Sequence, residues 1–228
     1  LPISLEGSDL VACAQTGTGK TISFLIPILD KIIKNPTEGN KIRAMIIAPT
    51  RELAVQIDKQ IDALSYFTGT SSLAVYGGGD GAGFTQEKAA IKSGIDILVG
   101  TPGKIITHLN LGYLDLSDID FFVLDEADRM LDMGFREDIF KVYQKAGNRK
   151  QVLLFTATMP KRLGEFVQKI CPQAKEIKLS VSKTADGVDQ KAILAHDEQK
   201  TPTVVEILEA EKYNSGIIFT GSKKTTDQ

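Results

Sequence analysis

Short, unbroken apolar runs alternate along this chain with stretches whose apolar residues recur at helical spacing. The runs occupy residues 10–13, 43–48, 72–76, 95–99, 121–124, 152–155 and 176–179. Phe121-Phe122-Val123-Leu124 shows no polar alternation, which suits a parallel strand covered on both faces. The helix-period segments between the runs supply candidates for that cover. The pattern therefore predicts an α/β fold with a mainly parallel central sheet flanked by helices. Pro27 falls inside the helix expected after the first strand, where it removes one hydrogen bond and predicts a kink or a local irregularity.

From residue 180 to 189 the pattern lapses into Ser, Lys, Thr, Asp and Gly, and reads as a linker. Beyond it the spacing predicts a strand at 191–195, a helix at 203–211 and a strand at 216–220. Such a single βαβ unit is near the ~30-residue minimum for the motif. It is also close to the ~40-residue limit below which a core rarely stabilises itself. It is expected to be the beginning of a second, truncated α/β lobe.

With 42% hydrophobic and 25% charged residues among 228, the chain has the composition of one or two globular domains, not of a disordered segment. No apolar run approaches the ~20 residues of a membrane span. The N-terminus lacks the basic-then-apolar order of a secretory signal, so an intracellular setting, cytoplasmic or nuclear, is expected. Cys13 and Cys171 have no partner at metal-ligand spacing and are expected to be buried, reduced thiols. His108 and His196 stand alone, as solvated or hydrogen-bonded structural histidines do. A net charge of −2 confines any nucleic-acid site to a local groove.

Chemistry enters where the first strand gives way to a helix. Ala14-Gln15-Thr16-Gly17-Thr18-Gly19-Lys20-Thr21 has the composition of a loop whose backbone N–H groups cradle phosphates at a helix N-terminus. Lys20 would reach the β- and γ-phosphates of a nucleotide and the Thr21 hydroxyl would hold Mg²⁺. Ala14 stands where the general pattern opens with glycine.

Asp125-Glu126-Ala127-Asp128 follows the strand at 121–124, at the carboxyl edge where open α/β folds bind ligands. Asp125 is a candidate for the Mg²⁺ shell and Glu126 for orienting and deprotonating water. Acidic residues also cap helices after strands, but the upstream phosphate loop favours the chemical role. Thr156-Ala157-Thr158 brings two hydroxyls to another strand end, where they could hydrogen-bond to Asp128, but on chemistry alone local turn or cap bonds are the preferred reading. Three further loops, Pro49-Thr50-Arg51-Glu52-Leu53, Gly77-Gly78-Gly79 and Thr101-Pro102-Gly103-Lys104, each stand between a strand and a helix. Their hydroxyls, exposed N–H groups and cations suit a nucleic-acid backbone better than base edges, although Thr-Pro and glycine runs are also ordinary helix-start and turn signals and each loop alone favours a structural role.

Taken in order, AQTGTGKT at 14–21, PTREL at 49–53, GG at 77–78, TPGK at 101–104, DEAD at 125–128 and TAT at 156–158 resemble the motifs of the DEAD-box RNA helicases. The resemblance covers nearly all of residues 1–179, and DEADRMLDMGF at 125–135 is particularly specific. It implies an ATP-dependent RNA helicase in which two RecA-like lobes close on ATP and single-stranded RNA and separate short duplexes. Residues 1–179 would be a RecA-like P-loop NTPase domain, 180–189 the linker and 190–228 the start of the second lobe. The resemblance assigns phosphate and Mg²⁺ contacts to the 14–21 loop, Lys20, Thr21 and Asp125, and water activation to Glu126. It assigns coupling to Asp128, Thr156 and Thr158. RNA-backbone contacts fall to Pro49, Thr50, Arg51, Gly78, Thr101 and Gly103, with Lys104 as a neighbour. The partners so implied are RNA, single-stranded or a short duplex gripped with little sequence preference, and protein cofactors. The protein is expected to be a monomer with no membrane partner.

Several positions depart from the family pattern. Thr156 replaces the more usual serine and keeps its hydroxyl; Lys104 replaces the usual arginine and loses the forked, bidentate contact. Leu1-Pro2 stands just after the family's adenine-reading glutamine segment, and Ile217-Ile218-Phe219 resembles the start of the second lobe's first motif. Without the second lobe's arginines, the 228 residues alone are expected to bind nucleotide weakly and to hydrolyse it negligibly. Two other functions compete. An ATP-gated RNA clamp or scaffold would use the same loops for gripping alone, and a small-molecule kinase would use the phosphate loop but leave PTREL, GG and TPGK without a role.

Overall fold

Seven strands are found among the described residues: β1 (Leu10–Cys13), β2 (Ala44–Ile47), β3 (Ser72–Val75), β4 (Ile97–Gly100), β5 (Phe121–Leu124), β6 (Gln151–Thr156) and β7 (Lys175–Lys178). They form one sheet in the order β3-β4-β2-β5-β6-β1-β7, with every pairing parallel. The expected runs are thus all strands, with each bound shifted by two residues at most. This computed structural model describes residues 1–15, 17–36, 41–78, 81–147, 150–179, 189, 191–210 and 213–226.

The apolar runs are unbroken because successive side chains of a strand enter different cores. Phe121 and Val123 of β5 pack on one side of the sheet, and Phe122 and Leu124 on the other. Residues 44–47 of β2 and 152–155 of β6 divide in the same way. One core is closed by α2 (Lys20–Lys34) through Phe24, Leu25, Ile28, Leu29 and Ile32, and by α3 (Arg51–Ser65) through Ala54, Ile57 and Ile61. The short α1 (Pro2–Leu5) packs there through Ile3. The opposite core is closed by α4 (Gly81–Ser93), α5 (Pro102–Asn110), α6 (Ala127–Asp132), α7 (Arg136–Lys145) and α8 (Lys161–Ile170). Their anchors include Ile91, Ile105, Met130, Ile139 and Phe166. A three-layer sandwich results. Its β7 edge reads Lys-Glu-Ile-Lys and is largely exposed, the charged kind of edge that resists pairing with another chain.

Helix α2 runs from Lys20 to Lys34 with Pro27 inside it, on its buried face. One expectation is corrected. In the second compact unit, residues 182–228, the strands expected at 191–195 and 216–220 are absent from the described residues. Leu194 and Phe219 are almost wholly exposed there. A strand owes its stability to a paired neighbour and a packed face, and these runs have neither among the described residues. The helix of that unit forms as α9 (Asp197–Ala210), and a short α10 (Lys223–Thr226) follows. It begins six residues ahead of the expected start at 203, with Asp197 and Glu198 favourably placed in its first turn. Of the expected linker at 180–189, only Asp189 lies within the described residues, and Glu211 of the expected helix lies outside them.

Parallel pairing sends β1 to β6 out of the sheet by one edge, so the loops that open α2, α3, α4, α5 and α6, together with the turn after β6, share it. Gly100 shows how tightly that edge is packed. A Cβ there would lie 2.7 Å from Val75 Cγ2 and 2.8 Å from the Val75 carbonyl oxygen. Gly100→Ala is therefore expected to lower unfolding stability by about 1–3 kcal/mol in urea denaturation. A variant as stable as the wild type would show that β3 and β4 yield there without cost.

Candidate functional site

At the carboxyl end of β1 the chain turns into α2 through two glycines in the left-handed region, Gly17 at φ +80° and Gly19 at φ +83°. No Cβ would collide at either, so the backbone conformation is what calls for glycine there. Gly19 is the N-cap of α2 and carries no side-chain cap bond. The first N–H groups of a helix have no intrahelical acceptor, and donors of this kind can receive an anion. Ala14 is buried and its N–H donates to the Thr156 carbonyl at 2.9 Å, pinning the loop to β6. Gln15 and Gly17 are exposed, and Thr18 Oγ1 donates to the Gln15 carbonyl at 2.8 Å. Lys20 begins α2 and folds back so that Nζ donates to the Ala14 carbonyl at 2.8 Å; Thr21 follows it. Thr16 lies outside the described residues.

Asp125 leaves β5 beside this loop, 3% exposed. Its Oδ1 accepts the Glu126 N–H at 3.0 Å. Burial pushes its carboxyl up to about 6, against the opposing pull of the Lys20 ammonium and the Glu126 N–H. Glu126 is the only non-glycine residue with positive φ (51°) among the described residues. It is the N-cap of α6, held in the left-handed region where a side chain costs on the order of 1–3 kcal/mol. Its carboxylate accepts from Arg129 Nη1 at 3.1 Å.

Asp128 meets the turn after β6. Its Oδ2 accepts from the Thr158 N–H at 2.9 Å and from Thr158 Oγ1 at 2.7 Å, and its Oδ1 accepts the Arg129 N–H at 3.0 Å. Burial works to raise its carboxyl, but these bonds and the Thr156 hydroxyl outweigh it and hold the group below the usual range. Thr156 is fully buried and its Oγ1 donates to the Thr158 carbonyl at 2.7 Å. Thr158 therefore does bond to Asp128, where chemistry alone favoured local turn bonds, while the Thr156 hydroxyl makes such a local bond. Cys13 Sγ donates to the Ala157 carbonyl at 3.3 Å, so the same turn is tied to the end of β1 as well.

Further along the edge stand the other three loops. Thr50 caps α3, its Oγ1 accepting the Leu53 N–H at 3.3 Å. Pro49 is buried, whereas Arg51 is exposed with its guanidinium 4.7 Å from the centroid of the Tyr76 ring. Gly78 is exposed at φ +92°, and a Cβ there would approach Arg51 Nη1 to 3.8 Å. Gly79 lies outside the described residues. Thr101 is the N-cap of α5 and Gly103 is exposed in its first turn. Lys104 is not open: its Nζ pairs with Glu87 Oε2 at 2.8 Å and its side chain is 14% exposed.

Sequence reasoning passed over three residues here. Tyr76 directly precedes Gly77, but its contact with Arg51 crosses from one strand end to another, and Cys13 gave no signal beyond burial. Arg129 sits three residues after Glu126 on a helix, a spacing that could have flagged the pair. His108 is fully buried among hydrogen-bond partners, a structural histidine as expected. Both cysteines are buried, with the Cys171 thiol pushed up to about 12 by burial. Among the described residues no three His, Cys, Asp or Glu side chains gather as a metal site, and no helix is long and apolar enough to cross a membrane.

The family model described as DEAD/DEAH box helicase matches residues 1–166. The chain is 37% identical to the ATP-dependent RNA helicase CshA of Listeria monocytogenes, covering 100% of this chain and 43% of that protein. It is 36% identical to the ATP-dependent RNA helicase DeaD of Haemophilus influenzae, covering 99% and 36% respectively. The chain thus spans less than half the length of these relatives. Among solved structures, a DEAD box protein from the hyperthermophile Methanococcus jannaschii is similar with a TM-score of 0.71 and 33% identity, over 99% of this chain and 59% of that one. A hypothetical ATP-dependent RNA helicase from Sulfolobus tokodaii is similar with a TM-score of 0.70 and 32% identity, over 78% and 50%.

The raised carboxyl of Asp125 has a direct consequence for stability. Between about pH 4 and pH 6 the folded state keeps a proton that the unfolded chain has lost, so its contribution to stability falls as pH rises through that window. Asp125→Asn removes the ionisation and is expected to be the more stable protein at pH 7 by on the order of 2 kcal/mol. Urea unfolding of both proteins across that range measures the difference. A gap between them that stays constant from pH 4 to pH 7 would contradict the assignment.

Proposed function

This chain belongs to the DEAD/DEAH box helicase family, and on that footing we propose that it carries the ATP site and half of the RNA grip of an ATP-dependent RNA helicase. Residues 1–179 are the first RecA-like lobe, 180–189 the linker and 190–228 part of the second lobe. The observation that carries this reading is Asp125, a carboxylate buried at the end of a central strand beside Lys20 and the phosphate loop.

The phosphates of ATP lie on the N-terminus of α2 and the exposed backbone of the loop, drawn by unpaired N–H groups and the helix dipole. Lys20 exchanges the Ala14 carbonyl for the β- and γ-phosphates. Asp125 and Thr21 suit Mg²⁺, which takes one or two protein oxygens together with phosphate oxygens and so needs no larger cluster of side chains. When bound, Mg²⁺ neutralises charge on the transferring phosphate. Glu126, held in the left-handed region and paired with Arg129, orients the attacking water and accepts its proton.

Asp128, Thr156 and Thr158 carry the state of this site to the rest of the edge, because one carboxylate joins the turn after β6 to the helix that follows Glu126. Arg51, the N-cap threonines Thr50 and Thr101, and the exposed glycines Gly78 and Gly103 grip RNA by its phosphates, with little sequence preference. The buried Pro49 contributes the course of the backbone. We place the protein inside the cell, in cytoplasm or nucleus, as a monomer that protein cofactors regulate.

RNA-stimulated ATP hydrolysis by the whole protein tests the reading. Glu126→Gln is expected to keep nucleotide affinity while losing at least ~10²-fold in turnover, and Lys20→Ala to lose affinity itself. An equal loss of binding and turnover in Glu126→Gln would contradict the role given to Glu126, and hydrolysis indifferent to RNA would contradict the helicase reading.

A further inference from the structure

Glu87, on α4, has no place in the nucleotide site, yet its carboxylate is the meeting point of two residues of α5. Oε2 accepts from Lys104 Nζ at 2.8 Å and from His108 Nε2 at 3.2 Å. Because a carboxylate can only accept, Nε2 carries the proton; in the neutral ring Nδ1 then accepts from the Tyr113 hydroxyl. Phe84, one turn earlier on α4, stacks on the His108 ring with centroids 5.1 Å apart and planes at 7°, and the Lys104 ammonium lies 4.9 Å from the centroid of its ring. Lys88 of α4 reaches over Tyr113 at 5.4 Å.

This polar and aromatic cluster stands where apolar packing is thin, since Ile91 is the only residue of α4 that is buried. The cluster therefore does for α4 what a hydrophobic face does for its neighbours. It also links two ligand loops, because α4 follows the loop of Gly78 and α5 begins at Thr101 and Gly103.

We propose that Glu87 is a positioning residue for the RNA grip, and that Lys104 is its anchor instead of a phosphate contact. By fastening α4 to α5 the pair sets the spacing at which the Gly78 and Gly103 loops meet successive phosphates. An ammonium already paired and largely covered must give up a carboxylate before it can serve a phosphate. The proposal rests on the RNA-binding reading above.

The test is the salt dependence of oligouridine binding, followed by fluorescence anisotropy on the whole protein. Glu87→Gln and Lys104→Met are each expected to weaken binding roughly five- to tenfold with an unchanged slope of log K against log salt. The charge-exchanged double variant, Glu87→Lys with Lys104→Glu, is expected to recover most of that loss. If Lys104→Met alone lowers the slope by about 0.7, the value for one contact to a single strand, Lys104 touches phosphate and the proposal falls. Tighter binding by Glu87→Gln would likewise overturn it, by showing that Glu87 only masks Lys104.

Hydrogen exchange in the free protein supplies a readout that needs no RNA. The amides of Lys104 and Ile105, both bonded to the Thr101 carbonyl, are expected to exchange faster in Glu87→Gln with the global unfolding midpoint little changed. Unaltered exchange would overturn the positioning role. Faster exchange in a protein whose wild type binds no RNA would uphold the fastening of α4 and overturn the RNA reading instead.

Discussion

Parallel pairing is the constraint on which everything else here depends. A parallel strand cannot return through a tight turn, so each connection crosses back over a face of the sheet, and both faces become buried. The central strands then have to be apolar at every position, as β2 and β5 are. The same rule brings the ends of β1 to β6 to a single edge. Six loops of different composition become neighbours there although the first and last of them lie more than a hundred residues apart.

At that edge burial leaves charged groups poorly solvated. Asp125 ends a strand buried on both faces, so its carboxylate is poorly solvated and prefers a proton or a cation. Lys20, the nearest cation of the loop, is meanwhile satisfied by a backbone carbonyl and can be recruited without leaving a buried charge unpaired. Glu126 carries the backbone strain of the site, and the bonds around Asp128 hold the next turn in register. Stabilisation comes from the sheet and its two cores; the polar edge stores the departures from it.

The strands of the sheet were legible because double burial leaves a run with no polar interruption, and the six loops were legible because each follows such a run. What stayed hidden depends on partners remote in sequence. Residues 191–195 and 216–220 have strand-like composition, but composition does not supply a neighbour to pair with. Cys13 meets Ala157 across 144 residues, a contact that only the order of strands brings about. Lys104 reads as an available cation until α4 delivers Glu87 to it.

The central claim is that one edge of one sheet holds ATP and RNA in adjacent loops. Backbone amide shifts of the ¹⁵N-labelled chain, followed during titration with Mg·ATP and then with oligouridine, test it most directly. Mg·ATP is expected to move amides at 14–21, 125–128 and 156–158, and RNA those at 50–53, 77–78 and 101–104. Shifts gathered instead at the opposite end of the strands, in the cavity of about 230 Å³ lined by Pro27, Lys31, Phe121 and Gln151, would contradict it.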